Sequence, residues 1–201
     1  MIKNILATTI IVSICLFMVS CITTTVKGYT DRAYSGYHIQ KVIVRAPNAG
    51  FVLGELIEKK MADRFKETKV NAESFMERFP PTREWTNGEV AQELIKEGFD
   101  SIMYVVLTGS ESSTQTIGYI NSGQASAYGN TASYSGFSVP VSAIRRYTAT
   151  RVNLYDAKTA KVIWVGDTST EAGGFLFMSD DTQADSIANE VIISLASNGH
   201  L

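Results

Sequence analysis

The sequence predicts an α/β (α+β) domain, one mixed sheet of about five strands with two or three packed helices, plus an uncharged hairpin or loop excursion. Three features carry that reading. Leu53, Ile57, Met61 and Phe65 recur every fourth residue among Glu58, Lys59, Asp63, Arg64 and Lys66, which makes one apolar stripe on an amphipathic helix. Phe99 to Leu107 contains a continuous apolar run of the kind found in a central strand covered on both faces. Tyr147 to Tyr155 alternates, with Thr150, Val152 and Leu154 on one side and Arg151 and Asn153 on the other, and Val162–Val165 returns after the turn Asp156–Lys161.

The remaining elements follow in chain order. Lys41–Arg45 is a β-branched strand stopped by Pro47, Asn48 and Gly50. A short strand is expected near Lys69–Ala72, and Phe79-Pro80-Pro81 ends whatever precedes it. Thr86 followed by Glu89 is a capping box, and the helix it starts turns Val90, Leu94 and Ile95 inward before Gly98 ends it. A last helix is expected from Asp181 or Thr182, packing Ile187, Val191, Ile192 and Leu195 and ending by Gly199.

Composition fits one folded domain behind a leader. With 45% apolar and 19% charged residues the chain lies well away from disordered composition, so the mature part folds. The formal charge is −2, and loss of residues 1–20 removes only Lys3, leaving 17 basic against 20 acidic residues. That balance, with no Lys/Arg cluster beyond the pairs Lys59-Lys60 and Arg145-Arg146, offers no footprint for nucleic acid or anionic headgroups. Both cysteines, Cys15 and Cys21, belong to the leader region, so the folded part has no disulfide, thiol nucleophile or Cys-based zinc site.

Residues 1–20 read as a signal peptide: Lys3 gives a positive start and Ile5–Val19 an apolar run shorter than the roughly 20 residues of a spanning helix. Met18-Val19-Ser20-Cys21 puts a small residue directly before a cysteine and resembles the lipobox of bacterial lipoproteins, with Met18 where Leu is usual. That resemblance implies cleavage before Cys21 and acyl chains on its sulfur and new amino group. Cys15 is a poor rival, since bulky Ile14 precedes it. At about 0.8 kcal/mol per buried methylene, two or three chains hold a protein to a membrane where one does so only marginally. An ordinary cleaved signal and an uncleaved anchor are the other readings. Ile22 stands where an inner-membrane retention signal would place Asp, which favours the outer membrane with the domain facing the periplasm. Residues 21–38 are then expected to be the lipidated cysteine and a tether, with a single α/β domain over 39–198.

The order strand, helix, strand, helix, strand, excursion, hairpin, helix, with the apolar strand after Gly98-Phe99-Asp100 and the segment Leu154–Trp164, resembles a group of envelope lipoproteins. The group includes the curli-secretion lipoprotein and the amino-terminal domain of TolB. The likeness spans roughly residues 40–197, implies an anticodon-binding-domain-like fold and an envelope address, and brings no catalytic residue with it.

The excursion, residues 111–144, is the least ordinary stretch. From Ser112 to Ile144 it has no charged residue, and Tyr119, Tyr128, Tyr134 and Phe137 are spaced through Ser, Thr, Gly, Asn and Ala. Structureless loops beyond about 15 residues are usually functional or disordered. Three readings compete: an extended hairpin or loop at the sheet edge, a partner-binding platform using those four aromatics, and a membrane hairpin turning at Asn121–Gly123. The curli-secretion lipoprotein builds a pore from such hairpins, although the outward face here is weakly apolar.

Catalytic signatures are missing. His38 lies in the expected tether and His200 at an end expected to fray; nucleotide, zincin and nucleophile-elbow motifs do not occur. Asp180, Asp181 and Asp185 are weak calcium candidates, with carbonyls of Gly173 and Gly174, but their place at a helix start points to capping. No cofactor, no small-molecule substrate and no nucleic-acid partner are indicated. The expected function is a non-catalytic, membrane-anchored envelope lipoprotein that binds a protein partner or copies of itself; a subunit of an oligomeric outer-membrane pore or secretion complex and a divergent envelope hydrolase are alternatives. Intact-mass measurement of the mature chain should show it starting at Cys21 with acyl mass on that residue; a chain starting at Met1, or a bare thiol, contradicts this.

Overall fold

The computed structural model describes residues 21–128, 131–174 and 179–201, so the leader lies outside the described residues. The elements are β1 (Cys21–Thr30), β2 (Lys41–Arg45), α1 (Phe51–Glu67), β3 (Asn71–Ser74), α2 (Phe75–Arg78), α3 (Asn87–Lys96), β4 (Ser101–Tyr128), β5 (Thr131–Asp156), β6 (Val162–Gly174) and α4 (Asp180–Ser197). They form the expected mixed α+β fold, one six-stranded sheet in the order β1-β6-β5-β4-β2-β3.

Strand β2 pairs in parallel with β3 and with β4, its register with β4 running from Val42↔Ser101 to Arg45↔Tyr104. The β5–β6 joint is antiparallel: Asp156 N–H donates to Lys161 O across the turn, and Thr150–Thr168 and Arg151–Asp167 side-chain pairs follow further along. Contacts Asp31–Ile163 and Thr24–Thr170 make β1 antiparallel to β6 as well.

Packing divides the chain into two compact units. The described residues of the larger are 22–111, 147–171 and 179–201; those of the smaller are 21, 112–128, 131–146 and 172–174. In the larger unit alternate residues of β2 serve different clusters, as period-2 geometry requires. Val42 and Val44 join Ile57, Met61 and Phe65 of α1 and Ile187, Val191 and Leu195 of α4, while Ile43 joins Phe79, Leu94 and Phe99 beneath α3. Helices α1 and α4 thus cover one face of the sheet and α3 part of the other. Ile95, expected inward, is exposed, because Val90 and Leu94 already fill the face α3 turns to the sheet.

The tether expected over residues 21–38 is instead strand β1 as far as Thr30, followed by a 3₁₀ turn at Arg32–Tyr34. The pattern hides it for a physical reason. Its inward residues are not a run of aliphatics but Thr24, which hydrogen-bonds Thr170 and Ser186, then Val26, then Gly28 against the Trp164 ring. The C-terminus likewise does not fray. Gly199 turns the chain with φ 79°, His200 is fully buried, its N–H donates to Leu195 O, and Ile39 N–H donates to His200 O.

Two buried features fix local geometry. Glu58, read from the pattern as a solvated member of α1, is 1% exposed. Its Oε1 accepts from Ala46 N–H (2.9 Å) and its Oε2 from Ser74 Oγ and Met76 N–H (both 2.7 Å), so one carboxylate ties α1 to the end of β2 and the start of α2. Trp164 lies between Gly28 and Gly166, where a Cβ on Gly28 would stand 2.6 Å from the indole nitrogen and 2.7 Å from Ser194 Oγ. Overpacking of this kind costs about 1–3 kcal/mol. Gly28→Ala and Gly166→Ala should each lower the urea midpoint by that amount of stability, whereas Gly36→Ala, which meets nothing, should leave it in place.

Candidate functional site

The uncharged excursion is an extended hairpin, but it grows from the sheet's central strands rather than its edge, since β4 and β5 are neighbours in mid-sheet. Within the smaller unit Ser138 Oγ donates to Asn121 Oδ1 at 2.7 Å, joining the two strands. Asn121–Gly123, expected as the turn of a membrane hairpin, lies inside β4, which continues to Tyr128; β5 begins at Thr131. Alternating β-competent residues carry the strand through Asn121 and Gly123, whose turn propensity is local and weak beside a continuing ladder.

The ribbon's apolar side chains stand in the open. Ile117, Tyr119, Ile120, Phe137 and Val139 are all exposed, Tyr119 at 65% and Phe137 at 66%. Of the four aromatics expected to meet a partner, Tyr119 and Phe137 are therefore placed on the surface; Tyr128 and Tyr134 are strand residues whose side chains lie outside the described set. Along β5 the pattern alternates, with Phe137, Val139, Val141 and Ala143 on one face and Ser138, Pro140 and Ser142 on the other. A shallow cleft of about 620 Å³ runs between Ser122, Gly123, Ser135, Gly136 and Phe137.

The ribbon's outer edges are open among the described residues. Strand β2 meets β4 only over Ser101–Tyr104. Strand β6 ends at Gly174, and a Cβ on Gly173 would stand 3.8 Å from Arg145, so β5 below residue 145 lies past the end of β6. Unpaired backbone donors and acceptors on an uncharged strand invite another strand, because neither like charge nor bulk opposes pairing.

Two of the three acids at α4, Asp181 and Asp185, serve as ion-pair partners. Ser179 caps the helix by accepting from Thr182 N–H, while Asp181 meets Lys60 at 2.9 Å and Asp185 meets Arg64 at 3.0 Å. The N-cap is thus Ser179, and Asp180 and Asp181 lie in the first turn, where negative charge favours the positive end of the helix. Gly173 and Gly174, offered as carbonyl donors for a cation, are strand residues of β6. No group of three or more potential metal ligands occurs among the described residues.

His38 is exposed, whereas His200 donates from Nδ1 to Tyr37 O and bonds Thr30 Oγ1 through Nε2. Ser101, fully buried, donates to Asp100 Oδ1 at 2.6 Å, and the other oxygen of Asp100 accepts from Gln40 and Lys41 N–H. These polar groups brace β2 against β4. On the α3 side a groove of about 740 Å³ is lined by Arg78, Arg83, Trp85 and Lys96, each cation already paired: Arg78 with Glu73 and Glu93, Arg83 with Glu89, Lys96 with Glu93.

No protein-family model and no curated protein sequence matches the chain. Among solved structures, a PelC dodecamer from Paraburkholderia phytofirmans is similar at 13% identity, with 89% of this chain and 99% of that one covered and a TM-score of 0.48. The lipoprotein GNA1162 from Neisseria meningitidis is similar at 13% identity over 79% and 99% of the two chains, with a TM-score of 0.43. No helix among the described residues is long and apolar enough to cross a membrane, which leaves strands untouched.

Tyr37 O–H donates to Asp100 O at 2.9 Å and its oxygen lies 3.0 Å from Ser101 Oγ. Burial, aided by the negative charges of Asp100 and Asp156 and only partly offset by the Ser101 bond, pushes its pKa from 10.0 up to about 12. The unfolded chain therefore loses this proton first as pH rises, so stability is whole below pH 10 and falls between 10 and about 12. Urea unfolding against pH should show that slope, and Tyr37→Phe should flatten it; an unchanged slope in the variant assigns the loss to other tyrosines.

Proposed function

We propose that the chain is a non-catalytic envelope lipoprotein, acylated at Cys21, that works as an assembly module by pairing its uncharged ribbon with a partner protein or with further copies of itself. The observation that carries this is the ribbon itself: two strands without one charge from Ser112 to Ile144, with both outer edges open and large apolar residues exposed among the described residues. An isolated two-stranded ribbon is marginal in water, and it gains most by adding strands. Its proposed place is the outer membrane, with the larger unit facing the periplasm.

A second reading, a pore subunit, has its own support in the alternation Phe137, Val139, Val141, Ala143 against Ser138, Pro140, Ser142. About 9–11 residues per strand cross a bilayer, which β4 beyond Ser112 exceeds. Lipid cannot satisfy open strand edges, so a ribbon that enters it must close with ribbons of other copies. Association is thus common to both readings, and conductance separates them.

The test uses acylated protein in detergent, measured by light scattering. The wild type is expected as a discrete oligomer or, with its partner, a discrete complex. Ile120→Lys together with Phe137→Lys should weaken association at least about tenfold, equivalent to 1.4 kcal/mol, with the unfolding midpoint of the larger unit unchanged. An unaltered assembly size and cross-linking profile in this variant would falsify the ribbon as the contact surface.

A further inference from the structure

One end of the larger unit gathers several chain segments. Strands β2 and β4 are parallel, so the loop after Arg45 leaves at the end toward which β4 runs. Asn48 fastens that loop there, its Nδ2 donating to Leu107 O at 2.8 Å and its Oδ1 accepting from Leu107 N–H at 2.9 Å. Because β5 and β6 are antiparallel and β1 is antiparallel to β6, Tyr147, Glu171 and Ile22 stand at that end too. Helix α1 starts here. The ion pairs Lys60–Asp181 and Arg64–Asp185 set α1 and α4 side by side and parallel, yet α1 begins at Phe51 and α4 only at Asp180. The first two turns of α1 therefore reach past the start of α4, by about 12 Å at 1.5 Å per residue.

At the tip of that overhang sit Phe51, 70% exposed, and Val52, 69% exposed, the adjacent pair among the exposed large apolar residues of this unit. Neither packs in the core, although Leu53, the next residue, does. Ile22, at the same end, is bonded directly to Cys21, and β1 starts at Cys21 with no tether between.

We propose that Phe51 and Val52 form a second contact with the membrane, an apolar foot that enters the headgroup region and fixes how the domain stands on the bilayer. The inference rests on acylation of Cys21: fatty chains on the first residue of a sheet strand bring lipid to this end of the unit and leave little freedom to swing away. An aromatic beside a branched aliphatic suits the boundary between headgroups and acyl chains. For such a pair the attraction comes from apolar burial at that boundary rather than from headgroup charge.

Single-cysteine spin labels test it, because the acylated Cys21 sulfur is blocked and the mature chain has no other cysteine. Acylated Phe51→Cys and Val52→Cys, with Ile193→Cys and Ile95→Cys as exposed references, are labelled and reconstituted in phosphatidylethanolamine–phosphatidylglycerol vesicles. Collision with oxygen should exceed collision with a water-soluble nickel chelate at 51 and 52, and the order should reverse at 193 and 95. Labels at 51 and 52 as chelate-accessible as those at 193, in protein whose mass shows acyl chains and which floats with vesicles, refute the foot and leave the anchor standing. Shielding from both reagents, with spin–spin broadening, assigns the pair to a second copy and equally refutes it. Protein without acyl mass that stays with the aqueous fraction refutes the anchor, and the foot with it.

Discussion

Backbone hydrogen bonding along the outer edges of the β4–β5 ribbon is the constraint on which a functional account of this protein depends. Every residue of a strand carries a donor and an acceptor, and half of them point away from the single neighbouring strand. In water these groups are hydrated, but the apolar side chains between them, Ile117, Ile120, Phe137 and Val139, are then exposed as well. The ribbon cannot bury its own side chains, because two strands make no second layer. Within the ribbon, Ser138 Oγ bonds Asn121 Oδ1 from strand to strand, while in the larger unit Met103, Val105, Val152 and Leu154 of the same strands are buried.

The larger unit has an unusual interior near residues 147–171. Where aliphatics would be expected between β1, β5, β6 and α4, the structure places Thr24, Thr148, Thr150, Thr168, Thr170 and Gln183, all buried. They bond one another: Gln183 Nε2 donates to Thr148 Oγ1 at 2.6 Å, Thr150 pairs with Thr168, and Thr24 meets both Thr170 and Ser186. A hydroxyl pair contributes about 1 kcal/mol net, less than burial of a Val or Leu side chain, so this seam does not maximise stability. It does fix register, because each hydroxyl must meet its partner or be left unsatisfied, whereas a methyl tolerates sliding. Farther along the same strands Val152, Leu154, Ile163 and Trp164 restore an aliphatic and aromatic core against Ile187, Val191 and Leu195.

That seam also explains which parts of the fold were legible in the sequence. Helices α1, α3 and α4 and strand β2 announce themselves because their buried residues are aliphatic at helical or strand spacing, and Thr86–Glu89 forms the capping box its spacing implies. Strand β1 is illegible by the same criterion: its inward positions are matched to hydroxyls and to an indole face, so hydrophobic periodicity has nothing to register. His200 is hidden for a related reason, since a buried histidine one residue from the end of the sequence reads as solvated until Thr30 and the Tyr37 carbonyl are seen to hold it. Glu58 could have been suspected, because it stands in α1 directly beside the Ile57 of the apolar stripe, but its three donors come from two segments that spacing alone does not bring together. The ribbon was legible in composition and not in form, because Asn, Ser and Gly usually mark turns and here continue a ladder.

A strand in place of the tether changes the mechanics of a domain anchored as proposed at Cys21. A flexible linker would let the larger unit explore many orientations above a membrane, and any surface could then meet a partner. A strand that begins at the proposed acylation site removes that freedom, since β1 is bound to β6 by backbone contacts and to α4 through Thr24 and Ser186. On the offset of Thr24 opposite Thr170, Cys21 falls beside Gly173, which lies beside Arg145, the residue at which charge resumes after the uncharged tract. Within the smaller unit, then, the strand position of Cys21 and the limit of the charge-free ribbon share one level across three strands. Charge is costly in a bilayer and cheap in water. A chain that stops its charges at the level of its proposed acylation site has the pattern that a boundary between the two would require.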